Sequence, residues 1–353
     1  MRDIVFVLIL LSLAPFFALA SIGERQDNLV ILQYHHVSNS TPSITSVTPD
    51  VFEHHMQHLA LNHNVVALDD ALTALQQGEK LPAKAVAITF DDGYRNILDN
   101  AHPILRKYDF PYTIFINPAV IGESEQQLDW QDLKLMSQQQ VTFANHTLDH
   151  AHLLTRFPNE DKAKWLARVA RDIEMAEDML SEQLGYSKRW LAYPFGEYDT
   201  DIQAMLLDKG YVGFGQQSGA VASHSDFSAL PRFPASGSYA SLDTLSTKLN
   251  SLAMPVVSVT PSSRVQQADA YLDEASITLA QIDFAAARFA CYFAGNKVPV
   301  TQQQMTFTAK LEHRFTAGRS RMNCTAPSEQ YPGRFFWYSL PWFTPTPSGE
   351  YLD

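Results

Sequence analysis

The chain has 353 residues, of which 46% are hydrophobic and 18% charged, and it carries a formal net charge of −12. This is the composition of a globular protein long enough for a large core and an appendage. The acidic balance excludes nucleic acid and anionic membrane surfaces as partners, because both select a basic face; a neutral or cationic substrate is the easier fit.

The N-terminus reads as an export signal. Met1 and Arg2 start it, an apolar run over 4–17 follows, and Ala18-Leu19-Ala20 forms a small-residue cleavage site. Pro15 interrupts the run, which disfavours a membrane anchor, and no later stretch is long enough to span a bilayer. The expectation is an exported protein, periplasmic or extracellular, with no membrane span after cleavage and no protein partner that the sequence identifies. In such an oxidising compartment Cys291 and Cys324 are expected to pair as a disulfide, so a cysteine nucleophile is not expected.

From residue 29 to about 252, short apolar runs alternate with helical patterns, the mark of strands followed by crossover helices. Strands are predicted at 29–33, 85–90, 112–117, 141–144, 190–193 and 211–215. Helices are predicted at 49–61, 69–77, 95–107, 130–137, 161–183, 199–209 and 241–252. The clearest carries Leu166, Val169, Ile173, Ala176 and Leu180 on one face and stops at Gly185. Six or more βα units imply a barrel or a doubly wound sheet, and either collects its chemistry at the carboxyl ends of the strands. Residues 253–263, rich in Pro, Ser, Thr and Val, read as a linker. Residues 264–353 read as a small β-rich domain with alternating Met305, Phe307, Ala309 and Leu311 and a dense aromatic stretch at 334–343.

Four strand ends carry polar residues suited to catalysis. The run Thr89-Phe90-Asp91-Asp92-Gly93 places two carboxylates after a buried strand, where neighbours point apart, so that one can bind a metal while the other addresses the attacking water. As a bare Asp-Asp-Gly turn it would mean little. In Asn145-His146-Thr147-Leu148-Asp149-His150 two imidazoles can reach one metal if the segment makes a helical turn, with His152 as a competing partner and surface histidines as the bland alternative. Two histidines and an aspartate make a ligand set that leaves positions open for water and substrate. Tyr193-Pro194-Phe195-Gly196 is a strand-ending bend able to bring a backbone N–H to an oxyanion. Tyr34-His35-His36 ends the first strand, where a barrel places an acid or base.

Together, T-F-D-D-G and H-T-x-x-H in this order resemble the NodB-type polysaccharide deacetylases, carbohydrate esterase family 4, over roughly residues 29–252, which places the domain at 21–252. The resemblance implies an α/β fold, a distorted (β/α)7 barrel with the small β-rich C-terminal domain added. It implies Asp91 as general base and Asp92, His146 and His150 as ligands of Zn2+ or another divalent metal such as Co2+ or Ni2+. Two family features are absent: the arginine of the third motif, where Leu191-Ala192-Tyr193-Pro194-Phe195-Gly196 stands instead, and a late histidine acid. Both absences resemble the branch acting on poly-N-acetylglucosamine in biofilms. That implies His35 as the acid and Arg232 in Leu230-Pro231-Arg232-Phe233 as the replacement arginine; the residues expected at the oxyanion or substrate are Phe195, Tyr193 and Arg232. The expected reaction is hydrolysis of N-acetyl groups on an N-acetylglucosamine polymer, poly-N-acetylglucosamine or chitin-like. The alternatives are an O-acetyl esterase on a plant or bacterial polysaccharide and a catalytically silent glycan-binding protein.

Overall fold

A computed structural model describes residues 25–352; the expected export signal at 1–20 lies outside them. Seven parallel strands form the barrel: β1 (Leu29–Tyr34), β2 (Ala85–Phe90), β3 (Tyr112–Ile116), β4 (Val141–Asn145), β5 (Trp190–Ala192), β6 (Val212–Phe214) and β7 (Phe233–Pro234). They pair in the order β7-β1-β2-β3-β4-β5-β6, with a short strand Asn64–Val65 also laid against β2. Every residue of β1, β2 and β3 is buried. Strands covered on both faces read as unbroken apolar runs, and these three were visible in the sequence for that reason.

The seventh strand was not predicted. It has two residues, one of them a proline, too few to show any period. The segment leading into it closes the barrel. The Leu230 N–H donates to the Gly213 carbonyl, its carbonyl accepts from the Gly215 N–H, both at 2.8 Å, and three residues later Phe233 pairs in register with Leu32. Residues 230–234 thus stitch the last full strand to the first.

The barrel helices are α1 (Pro49–Asn62), α2 (Leu68–Gln76), α3 (His102–Lys107), α4 (Trp130–Ser137), α5 (Lys162–Leu184), α6 (Thr200–Asp208) and α7 (Leu242–Leu249). In α5, Asp161 accepts from the Lys164 N–H to cap the start, and Gly185 at φ 79° ends it. Its apolar stripe buries Val169, Ile173, Ala176 and Leu180 as expected. Trp165 joins them, and Leu166 is only partly buried. The predicted helix at 95–107 is an α-helix only in its last six residues, preceded by a wider turn at Ile97–Ala101.

The C-terminal part is a two-sheet β structure. One sheet orders β8 (Ser251–Ala253), β16 (Phe335–Thr344), β15 (Gly318–Pro327), β11 (Ala290–Phe293) and β12 (Asn296–Val298). The other orders β9 (Val256–Thr260), β10 (Tyr271–Leu279), β14 (Thr306–Arg314) and β13 (Val300–Gln303). Residues 253–263, expected as a linker, instead hold β9, whose Val and Thr residues suit a paired strand. Between the sheets pack Ile277, Leu279, Phe289, Phe307, Met322, Leu340 and Trp342. The Cys291–Cys324 disulfide joins residues directly opposite each other on β11 and β15.

This β-sandwich packs against the barrel. Arg334 donates to the carbonyls of Asn250 and Ser251, Phe233 meets Trp337 edge-on at 5.4 Å, and Tyr198 meets Phe343 at 5.7 Å. Replacing both cysteines by serine should lower the unfolding free energy by roughly 3–4 kcal/mol, the chain-entropy value for a loop of this length. Urea unfolding of the wild type and the double variant measures it, and equal midpoints and slopes would contradict it.

Candidate active site

Strand β2 delivers Asp91 and Asp92 in opposite directions. Asp91 follows the strand and is fully buried, whereas Asp92 takes a left-handed conformation at φ 72° and Gly93 follows at φ 69°. A Cβ on Gly93 would sit 3.0 Å from Cγ2 of Ile116 on β3, so this position needs glycine for both its conformation and its neighbour. The double reversal leaves Asp91 facing the barrel axis and turns Asp92 toward the histidines of the β4 loop.

Asp91 is held by a bidentate ion pair with Arg232, which is also fully buried. Nη1 donates to Oδ1 at 2.7 Å and Nη2 to Oδ2 at 2.8 Å. Nε of Arg232 donates to the Gly215 carbonyl at 3.0 Å, and the guanidinium lies 5.3 Å from the Phe115 ring. Nε2 of Gln33 donates to Oδ2 of Asp91 at 2.6 Å. A carboxylate has about four lone-pair sites; these three donors leave one for a water proton. Burial pushes the Asp91 carboxyl up, but the charge and hydrogen bonds of Arg232, with His146 and His35 behind them, outweigh it and hold the group below its ordinary value.

Asp92, His146 and His150 converge. From Oδ1 of Asp92, Nε2 of His146 lies at 3.2 Å and Nε2 of His150 at 3.5 Å. These are the only three residues of their kind gathered in this way among the described residues. Oδ1 of Asp92 and Nε2 of His146 are buried and make no hydrogen bond of good geometry. Two such atoms facing each other are costly unless a cation lies between them. Nδ1 of His146 bonds to the Ala192 carbonyl at 2.7 Å, which places the ring proton there and leaves Nε2 with a lone pair for a metal. The donor set, two imidazole nitrogens and a carboxylate oxygen, fits Zn2+ or a similar divalent ion.

The histidine pair does not sit on a helical turn as expected. Thr147 at φ 68° and His150 at φ 64° fold the segment back instead, with the Thr147 N–H on Oδ1 of Asn145 and the His150 N–H on Oγ1 of Thr147. His152 is not part of the cluster: its Nδ1 bonds to the buried Glu197 at 2.9 Å, and its ring stacks on Phe195 with centroids 3.8 Å apart.

The bend after β5 carries Phe195 at φ 56°, a conformation that costs a bulky residue about 1–3 kcal/mol. Its ring is clamped between His152 and the edge of His150, whose centroid is 4.5 Å away. Gly196 at φ 69° leaves room for Gln216, whose Cβ would stand 2.8 Å from a Cβ there. The expectation that Tyr193 meets substrate is corrected by the structure: its side chain is fully buried, and its hydroxyl donates to the Ser228 carbonyl at 2.6 Å. Tyr193, one residue past β5, shares with Leu191 the face that packs on α5 and α6, and desolvation raises its phenol well above the ordinary value. Arg232, expected with it as a substrate contact, is buried against the Asp91 carboxylate instead.

His35 is partly exposed, with Nε2 at 3.9 Å from Oδ2 of Asp91. His36 points elsewhere, stacked on Tyr94 at 3.7 Å and bonded through Nδ1 to Asn96 at 2.9 Å. Gln33 was missed by the sequence reading. It lies two residues before His35 and so on the same strand face, and a polar residue inside the run LVILQY was the available signal. Asn117 was missed too; its amide donates to the carbonyls of His146 and Thr147 and steadies the ligand loop.

A family model described as polysaccharide deacetylase matches residues 78–214. The chain is 31% identical over 233 residues to the poly-β-1,6-N-acetyl-D-glucosamine N-deacetylase of Staphylococcus epidermidis, covering 59% of this chain and 79% of that protein. The chain belongs to the polysaccharide deacetylase family. Solved structures agree on the fold of this deacetylase. The Streptococcus pyogenes deacetylase PplD in complex with acetate superposes with a TM-score of 0.57 at 24% identity, covering 63% of this chain and 98% of that one. IcaB from Ammonifex degensii gives 0.56 at 23%, covering 64% and 98%. The distorted (β/α)7 barrel is thus the family's, and the β-sandwich is additional to it.

Arg232→Ala in this deacetylase should cost about 3–5 kcal/mol of stability, because it leaves the Asp91 charge buried without its partner. Arg232→Lys should recover only part, since an ammonium cannot make the two parallel bonds. Chemical denaturation of the three proteins decides, and a loss under about 1 kcal/mol for Arg232→Ala would show that the pair bears little of the fold.

Proposed function

We propose that this enzyme is an exported deacetylase that hydrolyses N-acetyl groups of an N-acetylglucosamine polymer, with poly-β-1,6-N-acetylglucosamine the favoured substrate. The observation that carries the reading is the meeting at one barrel end of the Arg232–Asp91 pair, His35, and the Asp92–His146–His150 group. The same polymer is named in the Staphylococcus epidermidis relative. The net charge of −12 suits a product that turns cationic as amines appear. Among the described residues no helix is long and apolar enough to cross a membrane. The division proposed is an export signal at 1–20, a catalytic barrel to about residue 252, and the β-sandwich beyond.

Asp92, His146 and His150 would hold a divalent ion, with Zn2+ the first choice, which would supply Lewis acidity toward water and the acetyl carbonyl. Asp91, oriented by Arg232 and Gln33, takes the proton of the attacking water. The Phe195 N–H, presented by the left-handed bend, is the donor for the acetyl oxygen as it takes on negative charge. Protonated His35 gives its proton to the departing amine, so that the C–N bond breaks and acetate and a glucosamine unit leave.

An O-acetyl esterase would use the same groups but release no amine. A silent glycan binder would have no use for buried ligand atoms without hydrogen bonds. Acetate and free-amine release from β-1,6- and β-1,4-linked oligomers of equal length tests the proposal. Faster release from the β-1,6 series is expected; preference for β-1,4 would defeat the favoured polymer, and acetate without amine would defeat the amidase. In the same assay His35→Ala should lower turnover by roughly 10²–10⁴-fold with metal content intact. His36→Ala should do much less, given its stacking on Tyr94 and its hydrogen bond with Asn96. Equal losses from the two would remove His35 from the acid role.

A further inference from the structure

The β-sandwich has no counterpart in the matched family region, yet one of its side chains enters the active site. Arg319, on β15, donates through Nη1 to the Phe195 carbonyl at 2.8 Å and approaches Oε1 of Gln216 at 3.4 Å. Gln216 in turn packs over Gly196. A single guanidinium from the sandwich therefore ties the loop after β5, whose Phe195 meets the His150 ring, to the loop after β6. Further sandwich and tail contacts lie on the same loop: Tyr198 against Phe343, and the partly buried Tyr351 packed on the cluster that holds Tyr198.

We propose that Arg319 is a positioning residue of the deacetylase site, and that the β-sandwich completes the oxyanion pocket from outside the barrel. The inference rests on the reading of Phe195 as the oxyanion donor. Only φ and ψ of Phe195 separate its N–H from its own carbonyl, since the peptide units on either side are planar. With the ring wedged between His152 and His150, anchoring the carbonyl fixes the direction of the N–H. The neighbouring backbone supplies part of the restraint: the Gly196 N–H bonds to the Tyr193 carbonyl at 2.9 Å and the Glu197 N–H to the Pro194 carbonyl at 3.1 Å. Both contacts lie within the bend itself. Arg319 adds the restraint that refers the bend to a second rigid body. A left-handed phenylalanine is a conformation that relaxes when its restraints go, so the loss of one outer tether should be felt at the N–H. In an oxyanion site misplacement is expensive, because donors act only when preorganised at the place where charge develops.

The test uses the full-length, zinc-loaded protein and its Arg319→Ala and Arg319→Lys variants. Arg319 is exposed, so both variants should fold and melt as the wild type does. Arg319→Ala should lower kcat by about 10-fold, a fraction of the roughly 10²–10³-fold that deleting an oxyanion donor costs, with KM and metal content unchanged. Arg319→Lys, which can still donate to one carbonyl, should recover part of the loss. In backbone amide NMR spectra the Phe195 and Gly196 signals should shift in Arg319→Ala, and the Phe195 amide should exchange faster. A raised KM with kcat unchanged would make Arg319 a substrate contact and overturn the proposal, as would unmoved amide signals with unchanged kcat. Should the wild type release no acetate from any oligomer, the deacetylase reading of this site falls, and the amide shifts alone then decide whether Arg319 sets the Phe195 bend.

Discussion

The buried contact between Arg232 and Asp91 is the constraint on which both the barrel and its chemistry depend. Two full charges with no solvent exposure are tolerated only when each satisfies the other and the remaining donors find acceptors. Here both conditions are met: two parallel bonds join them, Nε of Arg232 reaches the Gly215 carbonyl, and Gln33 fills a third site on the carboxylate. Arg232 also lies within the stretch 230–234 that bridges β6 to β1. The segment that closes the barrel is therefore the segment that holds the Asp91 carboxylate, the proposed base. A chain that failed to close would leave Asp91 undirected, so folding and catalytic competence are coupled at one residue.

Around that pair the backbone is repeatedly forced into left-handed conformations. Asp92, Thr147, His150 and Phe195 all have positive φ, and each stands at a point where the chain must turn a side chain or an N–H toward a common centre. Such conformations persist because the surroundings over-determine them. Asn145 and Thr147 brace the histidine loop, and His152 and Arg319 brace Phe195. The buried, unbonded atoms of Asp92 and His146 belong to the same picture, since three groups held within reach of one point could hold a cation.

Much of this was legible in the sequence where signals are local. Asp91, Asp92, His146 and His150 follow apolar strands within short motifs, and α5 showed its stripe and its stop. What escaped was set by distance or brevity. β7 is two residues long; β9 hid in a stretch that looked like a linker because Pro and Ser flank its valines. Tyr193 looked accessible because it borders a functional bend, but strand alternation turns it into the core. Arg232 was reached only through the resemblance, as a replacement arginine, because nothing local ties it to Asp91, 141 residues earlier. Arg319 had no local signal whatever, for its partner lies 124 residues away in another layer of the molecule.

The central claim is that one divalent ion on Asp92, His146 and His150 acts together with the oriented Asp91. Titrating Zn2+ into metal-stripped protein while following acetate release from a β-1,6-linked N-acetylglucosamine oligomer tests it most directly. Activity should be absent from the stripped protein, rise in proportion to added metal and level off at one equivalent per chain, with no such rise in His146→Ala. Full activity in the stripped protein, or an undiminished rise in His146→Ala, would contradict the account.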